Sequence, residues 1–144
     1  MTNLFVDTDV LLDLITGRKP FSFDAAELFT LIQNNKIEAH VTSLSFSNLY
    51  YLLRKYASHK IVISKLEELS KLVSILKVDE KVVKESLLSR FKDFEDAIQC
   101  YSAQSHTSMD VLITRNIKDY KLARLPVMSP NTFLKTFQQK ITLG

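Results

Sequence analysis

Glycine is nearly missing from the 144 residues: only Gly17 and Gly144 occur, so no glycine-rich loop is available to cradle a phosphate. One cysteine, Cys100, excludes an internal disulfide and fits a reducing, cytoplasmic setting. No apolar stretch approaches the roughly 20 residues that cross a bilayer, so no membrane partner is expected. Met1-Thr2-Asn3 leads directly into an apolar run, with no basic n-region or cleavage pattern. Linkers, repeats and low-complexity segments are also lacking, which leaves one domain over residues 1–144 as the expectation. Hydrophobic residues at 46% and charged residues at 24% suit a soluble globular chain with a full core.

What is present alternates. Leu4 to Val6 reads as a short buried strand, followed by a helix over Val10 to Ile15 that Gly17 ends. Arg18-Lys19-Pro20 forms a polar turn, and Asp24 with Glu27 makes a capping box for a helix through about Gln33. A strand follows over Ile37 to Val41, then a helix capped by Thr42 or Ser43 and running toward Tyr56. Apolar residues recur at helical spacing from Ile61 to Val73, and Ser74 to Val78 reads as a third strand. Helices over Glu80 to Ser89, capped by Asp79, and over Asp93 to His106 precede a fourth strand, Val111 to Thr114. A short turn at Ile117 to Tyr120, a fifth strand at Val127-Met128 and a helix begun by Pro130 complete the chain. Strands alternating with helices predict an α/β fold with a parallel sheet covered on both faces.

Three acidic motifs fall where apolar runs meet turns: Leu4-Phe5-Val6-Asp7-Thr8-Asp9, Asp93-Phe94-Glu95-Asp96, and Leu112-Ile113-Thr114-Arg115-Asn116-Ile117-Lys118-Asp119. Carboxylates at strand ends of an open α/β sheet can meet in one crevice, and clustered like charges call for a cation such as a hard divalent metal. Each motif also has a plainer reading. Asp9 could cap the first helix, with Asp7 merely favouring the turn, and Asp93 could cap the later helix. Asp93 and Asp96 stand at i and i+3, so both can face one way, with Glu95 expected to point elsewhere. Thr114, Asn116 and Asp119 offer the mixed oxygen donors that Mg²⁺ or Mn²⁺ accepts. Setting Asp7, Asp9, Asp93, Asp96 and Asp119 aside from the 16 acidic residues leaves 11 against 19 basic ones. An acidic centre on a basic body suits a polyanion, although scattered lysines also simply confer solubility.

At these residues the chain resembles the PIN-domain ribonucleases, of which the VapC-type toxins are best known. The run from Phe5 to Asp13 is similar to the family's first-strand motif, which implies Asp7 as a metal ligand. The run from Asp93 to Gln99 is similar to its central helix start, which implies Asp96, with Asp93 as an addition. The run from Leu112 to Tyr120 is similar to the closing motif, with Asn116 and Asp119 in the polar places. The resemblance spans nearly the whole chain and implies a three-layer α/β/α sandwich around a mainly parallel five-stranded sheet.

One position departs. The family usually supplies a glutamate from the helix after the second strand, and Ser43-Leu44-Ser45-Phe46-Ser47-Asn48 places Asn48 there, as in a subgroup with this substitution. Asparagine coordinates through its carbonyl oxygen but adds no charge, so Glu95 or Asp93 would have to compensate.

The resemblance thus implies a Mg²⁺- or Mn²⁺-dependent endoribonuclease cleaving single-stranded RNA, the toxin of a toxin–antitoxin pair. Asp7, Asp96 and Asp119 would be catalytic and hold the metal with Asp93, supported by Asn48, Asn116, Thr114 and Asp9. Arg18, Lys19, Arg54, Lys55, Arg115 and Lys118 are candidates to follow the RNA backbone, and Tyr50, Tyr51 and Tyr120 to stack on bases. An antitoxin and a homodimer partner are implied as well, with the apolar helices between Phe46 and Val73 as candidate surfaces. The competing reading is a PIN-like module that binds RNA or a protein without efficient cleavage, for which Asn48 speaks. A phosphatase of the haloacid-dehalogenase type shares an opening Asp-x-Asp but needs glycine-rich elements that are missing here. His40, His59 and His106 show no ligand spacing, and Cys100 reads as a packing residue.

Overall fold

The computed structural model describes residues 1–143. Five strands, β1 (Thr2–Val6), β2 (Ile37–Thr42), β3 (Ser74–Leu76), β4 (Val111–Ile113) and β5 (Val127–Met128), form one sheet in the order β3-β2-β1-β4-β5. Every pairing is parallel, with Leu4 beside Ala39 on one side and Val111 on the other. Parallel strands require crossovers, and the helices supply them: α1 (Thr8–Thr16), α2 (Phe21–Gln33), α3 (Ser43–Leu53), α4 (His59–Ser70), α5 (Glu80–Leu88), α6 (Phe94–Ser105) and α7 (Pro130–Leu143).

The period-two alternation of a strand divides the core into two layers. Leu4 and Val6 of β1 pack with Val111 and Ile113 against α1, α2, α3, α4 and α7, through residues such as Leu11, Leu28, Leu49, Val62 and Phe133. Phe5 and Leu112 point the other way, onto Cys100 and Ala103 of α6 and onto Tyr120. Both faces of the sheet are therefore covered, giving the α/β/α sandwich expected. Cys100 is buried as anticipated, and burial pushes its thiol up to about 12.

Several boundaries differ from the sequence reading. The first helix is capped by Asp7, whose side chain accepts from the Asp9 backbone N–H, so Asp9 lies in the first turn and is not the cap. Helix α2 begins at Phe21, directly after Pro20, ahead of the Asp24–Glu27 capping box. The rigid ring at Pro20 already has a helical φ of −84°, and Asp24 becomes a first-turn acid, favourable to the helix dipole. Ser58, rather than the apolar repeat, starts α4, and β3 ends at Leu76. Asp79 and Asp93 cap α5 and α6 as read, and Gly17, with φ 69°, closes α1 in the left-handed conformation that suits glycine. No described helix is long and apolar enough to cross a membrane.

The chain order reverses at β1: β2 and β3 lie to one side, β4 and β5 to the other. Crevices at the carboxyl ends of such neighbouring strands are the usual ligand sites of open α/β sheets. Asp7 follows β1 and Thr114 follows β4, so both stand at that junction.

Candidate functional site

Asp7 is the centre of the junction. Its backbone N–H donates to the Ile113 carbonyl at 2.9 Å, extending the β1–β4 ladder by one step and fixing where the side chain emerges. The residue is only 5% exposed, and its carboxylate is met from three elements. Thr114 Oγ1 donates to Oδ2 at 2.8 Å, the Tyr120 hydroxyl stands 3.0 Å from the same oxygen, and Gln99 Nε2 donates to Oδ1 at 2.9 Å. Such donors satisfy a buried carboxylate without neutralising it.

Asp96 approaches from the first turn of α6. The Tyr120 hydroxyl lies 3.2 Å from its Oδ1, so one phenol oxygen stands between the two carboxylates and gives its single proton to one at a time. Gln99 Nε2 donates to that same phenol oxygen at 3.0 Å. Burial raises Asp96 to about 7, helped by the negative charges of Asp7, Asp93 and Asp119. Asp9 is raised to about 7 as well, first by burial and then by Asp7. Burial and the two adjoining carboxylates drive the Tyr120 phenol far up, so it is held protonated as a donor.

The remaining sequence candidates fall into distinct places. Asn116 Nδ2 donates to Asp9 Oδ2 at 2.8 Å, and Thr114 Oγ1, the donor to Asp7, lies 3.4 Å from that same Asp9 oxygen. Asp119 sits exposed in the 3₁₀ turn Ile117–Tyr120, close enough for its charge to act on Asp96. Asp93 spends its Oδ1 on the Asp96 backbone N–H at 3.0 Å, the capping role. Asp93, Asp96 and Asp119 line one cleft of about 440 Å³, whose wall also carries Lys118 and three cations not singled out from the sequence, Arg90, Lys92 and Lys121.

The other proposed RNA contacts lie apart from that cleft. Arg115 donates through Nε to Asp13 at 2.6 Å and stacks over the Phe21 ring, a half-buried ion pair at the foot of α1. Arg18 and Lys55 border an apolar cleft, Lys19 lies over Phe23, and Arg54 over Tyr50. Tyr51 is exposed, and Tyr50 packs against His59.

Glu95 leaves the face that Asp93 and Asp96 share, as expected, and does not line their cleft. It turns inward, where Oε2 accepts from Asn48 Nδ2 at 2.5 Å and stands 3.1 Å from Thr8 Oγ1. Four residues separate Glu95 from Gln99, so the two share a helix face, and Gln99 is the buried residue that holds Asp7. Gln99, Thr8 and Ser45 are not singled out by the sequence, and Tyr120, expected to stack on bases, is buried and turns its hydroxyl to Asp7 and Asp96 instead. The i, i+4 relation of Glu95 to Gln99 was the available signal.

Among the described residues no three His, Cys, Asp or Glu side chains come close enough to clasp an ion unaided. The donors nevertheless fit a hard divalent cation. They are oxygens throughout, Mg²⁺ commonly takes one or two carboxylates and keeps its waters, and Asp9 Oδ1 is buried with no hydrogen-bond partner. No ion pair among the described residues involves Asp7, Asp9, Asp96 or Asp119, so the negative charge here has no direct cationic partner.

A parallel sheet of order 3-2-1-4-5 with an acidic crevice at its reversal defines a class of α/β proteins, and comparison narrows it. The PIN domain model matches residues 3–118, and the chain belongs to that family. Comparison with curated proteins finds no match. Solved structures with the same fold include VapBC2 from Rickettsia felis bound to a promoter DNA fragment, at 18% identity and TM-score 0.65, covering 89% of this chain and 98% of that one. A toxin–antitoxin complex from Klebsiella pneumoniae is 23% identical, with TM-score 0.65 and coverage of 88% and 97%. VapC20 from Mycobacterium tuberculosis, a toxin that cleaves the sarcin–ricin loop, is 16% identical, with TM-score 0.59 and coverage of 76% and 86%.

Proposed function

We propose that the protein is a Mg²⁺- or Mn²⁺-dependent endoribonuclease acting on single-stranded RNA, the toxin of a toxin–antitoxin pair working in the cytoplasm. The observation that carries this reading is the meeting of Asp7 and Asp96 on one Tyr120 hydroxyl, at the sheet's reversal, with no cation paired to either. Membership of the PIN family supports it, as do similar folds described as toxins, one of them cleaving RNA.

Asp7, Asp96 and Asp119 would hold the metal. When bound there, a divalent ion supplies a water of lowered pKa and neutralises charge that develops on the phosphate. The chain's own groups do the rest. Gln99, Thr114 and Tyr120 fix the Asp7 carboxylate from three sides, so its direction is set before substrate arrives. Lys92, Lys118 and Lys121, on the cleft that Asp96 and Asp119 line, supply positive charge for the flanking phosphates.

An antitoxin has a surface suited to it. A cleft of about 770 Å³ lies between α1, the end of α3 and α4, with Leu12, Ile15, Leu53 and Val62 in its wall and Arg18, Lys55 and Lys65 on its border. An apolar segment with acidic flanks would match it, and a second copy of the chain is the other partner this face could take.

The test is cleavage of single-stranded RNA with Mg²⁺ or Mn²⁺ by wild type and by Asp7→Asn. The expected loss exceeds about a hundredfold, above the range for groups that only support a metal ligand. Equal cleavage by both proteins would sink the reading. Asn48 favours one alternative, a module that binds RNA or a protein without cutting; RNA binding that persists while wild type fails to cleave with either metal selects it.

A further inference from the structure

We propose that Glu95 supplies the negative charge that Asn48 lacks, so that a carboxylate of this metal site comes from the first turn of α6 instead of from α3. The inference rests on the nuclease reading above and assigns a residue to it.

Three observations carry it. First, Asn48 is turned as a donor: its Nδ2 meets Glu95 Oε2, which leaves the amide acting as a clamp on that carboxylate. Second, Glu95 is tied to the centre of the site. The oxygen that Asn48 holds also lies 3.1 Å from Thr8 Oγ1, while the Thr8 backbone N–H donates at 3.0 Å to Gln99 Oε1. Gln99 in turn donates to Asp7 at 2.9 Å, so Glu95 and Asp7 grip opposite ends of one short hydrogen-bonded chain. Third, no Lys or Arg among the described residues lies within ion-pairing distance of Glu95, although the residue is half-buried. A clamped, partly desolvated carboxylate without a counter-charge, linked through Thr8 and Gln99 to Asp7, is a position a cation would fill.

A purely structural role makes a different prediction. A glutamate in a first turn stabilises its helix through the dipole, and Thr8 and Asn48 would merely satisfy it. That role acts on stability in the absence of metal. It leaves metal affinity alone.

The deciding measurement is Mn²⁺ titration calorimetry on wild type, Asp7→Asn, Glu95→Gln, and an exchange variant combining Asn48→Glu with Glu95→Gln, each also unfolded by urea in EDTA. Glu95→Gln is expected to weaken Mn²⁺ by about ten- to a hundredfold while its midpoint in EDTA stays near wild type. The exchange returns the charge to α3 and is expected to regain most of the affinity. Should Glu95→Gln fail to fold, the exchange variant decides: regained binding supports the assignment, and a folded exchange variant without Mn²⁺ binding overturns it. If Glu95→Gln binds Mn²⁺ like wild type while Asp7→Asn does not, Glu95 is structural and the nuclease reading stands. If wild type itself takes up no Mn²⁺, the metal site fails and the assignment with it.

Discussion

Asp9 concentrates the electrostatic tension of the site in one side chain. Asn116 donates to its Oδ2, its Oδ1 has no partner, and burial with Asp7 alongside raises it to about 7. A carboxyl raised above its unfolded value of 3.8 retains a proton in the fold that the unfolded chain has released. Its contribution to stability is therefore fully present below about pH 4 and is lost as pH rises through about 7. Asn at this position has no proton to release. In EDTA, the stability of Asp9→Asn relative to wild type is expected to grow between pH 5 and pH 8, read as the difference in urea midpoints. His40, lowered by burial and by His106, runs in the opposite sense but is common to both proteins and cancels in the difference. A difference that stays flat or shrinks with pH would show that Asp9 is ionised throughout.

At the scale of elements, helix starts decide how much could be read in advance. Asp93 is the informative one, since its sequence supports both a cap and a metal ligand. Its Oδ1 accepts from the Asp96 backbone N–H, so removing it should uncap α6. Asp93→Ala is expected to cost about 1 kcal/mol of unfolding free energy and Asp93→Ser to recover most of it, both measured by urea unfolding in EDTA. Equal losses for Ala and Ser would mean that charge, not the cap, is what α6 needs. Caps with a side-chain acceptor ahead of a periodic run, as at Asp79 and Asp93, were legible because the chemistry is local. The start of α2 was not, because Pro20 outcompetes the capping box four residues on. Asp7, Asp96 and Asp119 can be grouped from the sequence because their three motifs together resemble one family pattern. The i, i+3 pair of Asp93 and Asp96 shows which face Glu95 leaves, but not its partners on the face it joins with Gln99, because those come from distant elements. Tyr120 reads from the sequence as a stacking residue, because a tyrosine in a short turn carries no sign that its hydroxyl is buried against two carboxylates more than twenty residues away.

For the whole molecule, the sheet order turns distance along the chain into proximity. Asp7, Asp96 and Asp119 leave β1, the start of α6 and the turn after β4, which meet only once the sheet is assembled. The unfolded chain holds these oxygens far apart, so a divalent ion that binds them binds the folded state alone and must stabilise it by mass action. At a hundredfold excess over its dissociation constant that linkage amounts to about 2.7 kcal/mol, a rise in melting temperature on the order of ten degrees for a chain of this length. Wild type is therefore expected to melt progressively higher as Mn²⁺ or Mg²⁺ is raised, and Asp7→Asn to melt at one temperature throughout. Because the same ion also offsets the repulsion among Asp7, Asp9 and Asp96, Asp7→Asn should be at least as stable as wild type in EDTA and less stable in saturating metal. That reversal of order distinguishes a built metal site from general salt screening, which would shift both proteins alike. If the two melting temperatures instead move in parallel, the carboxylates at the β1–β4 junction are structural, and the oxygens of this crevice do not form a metal site.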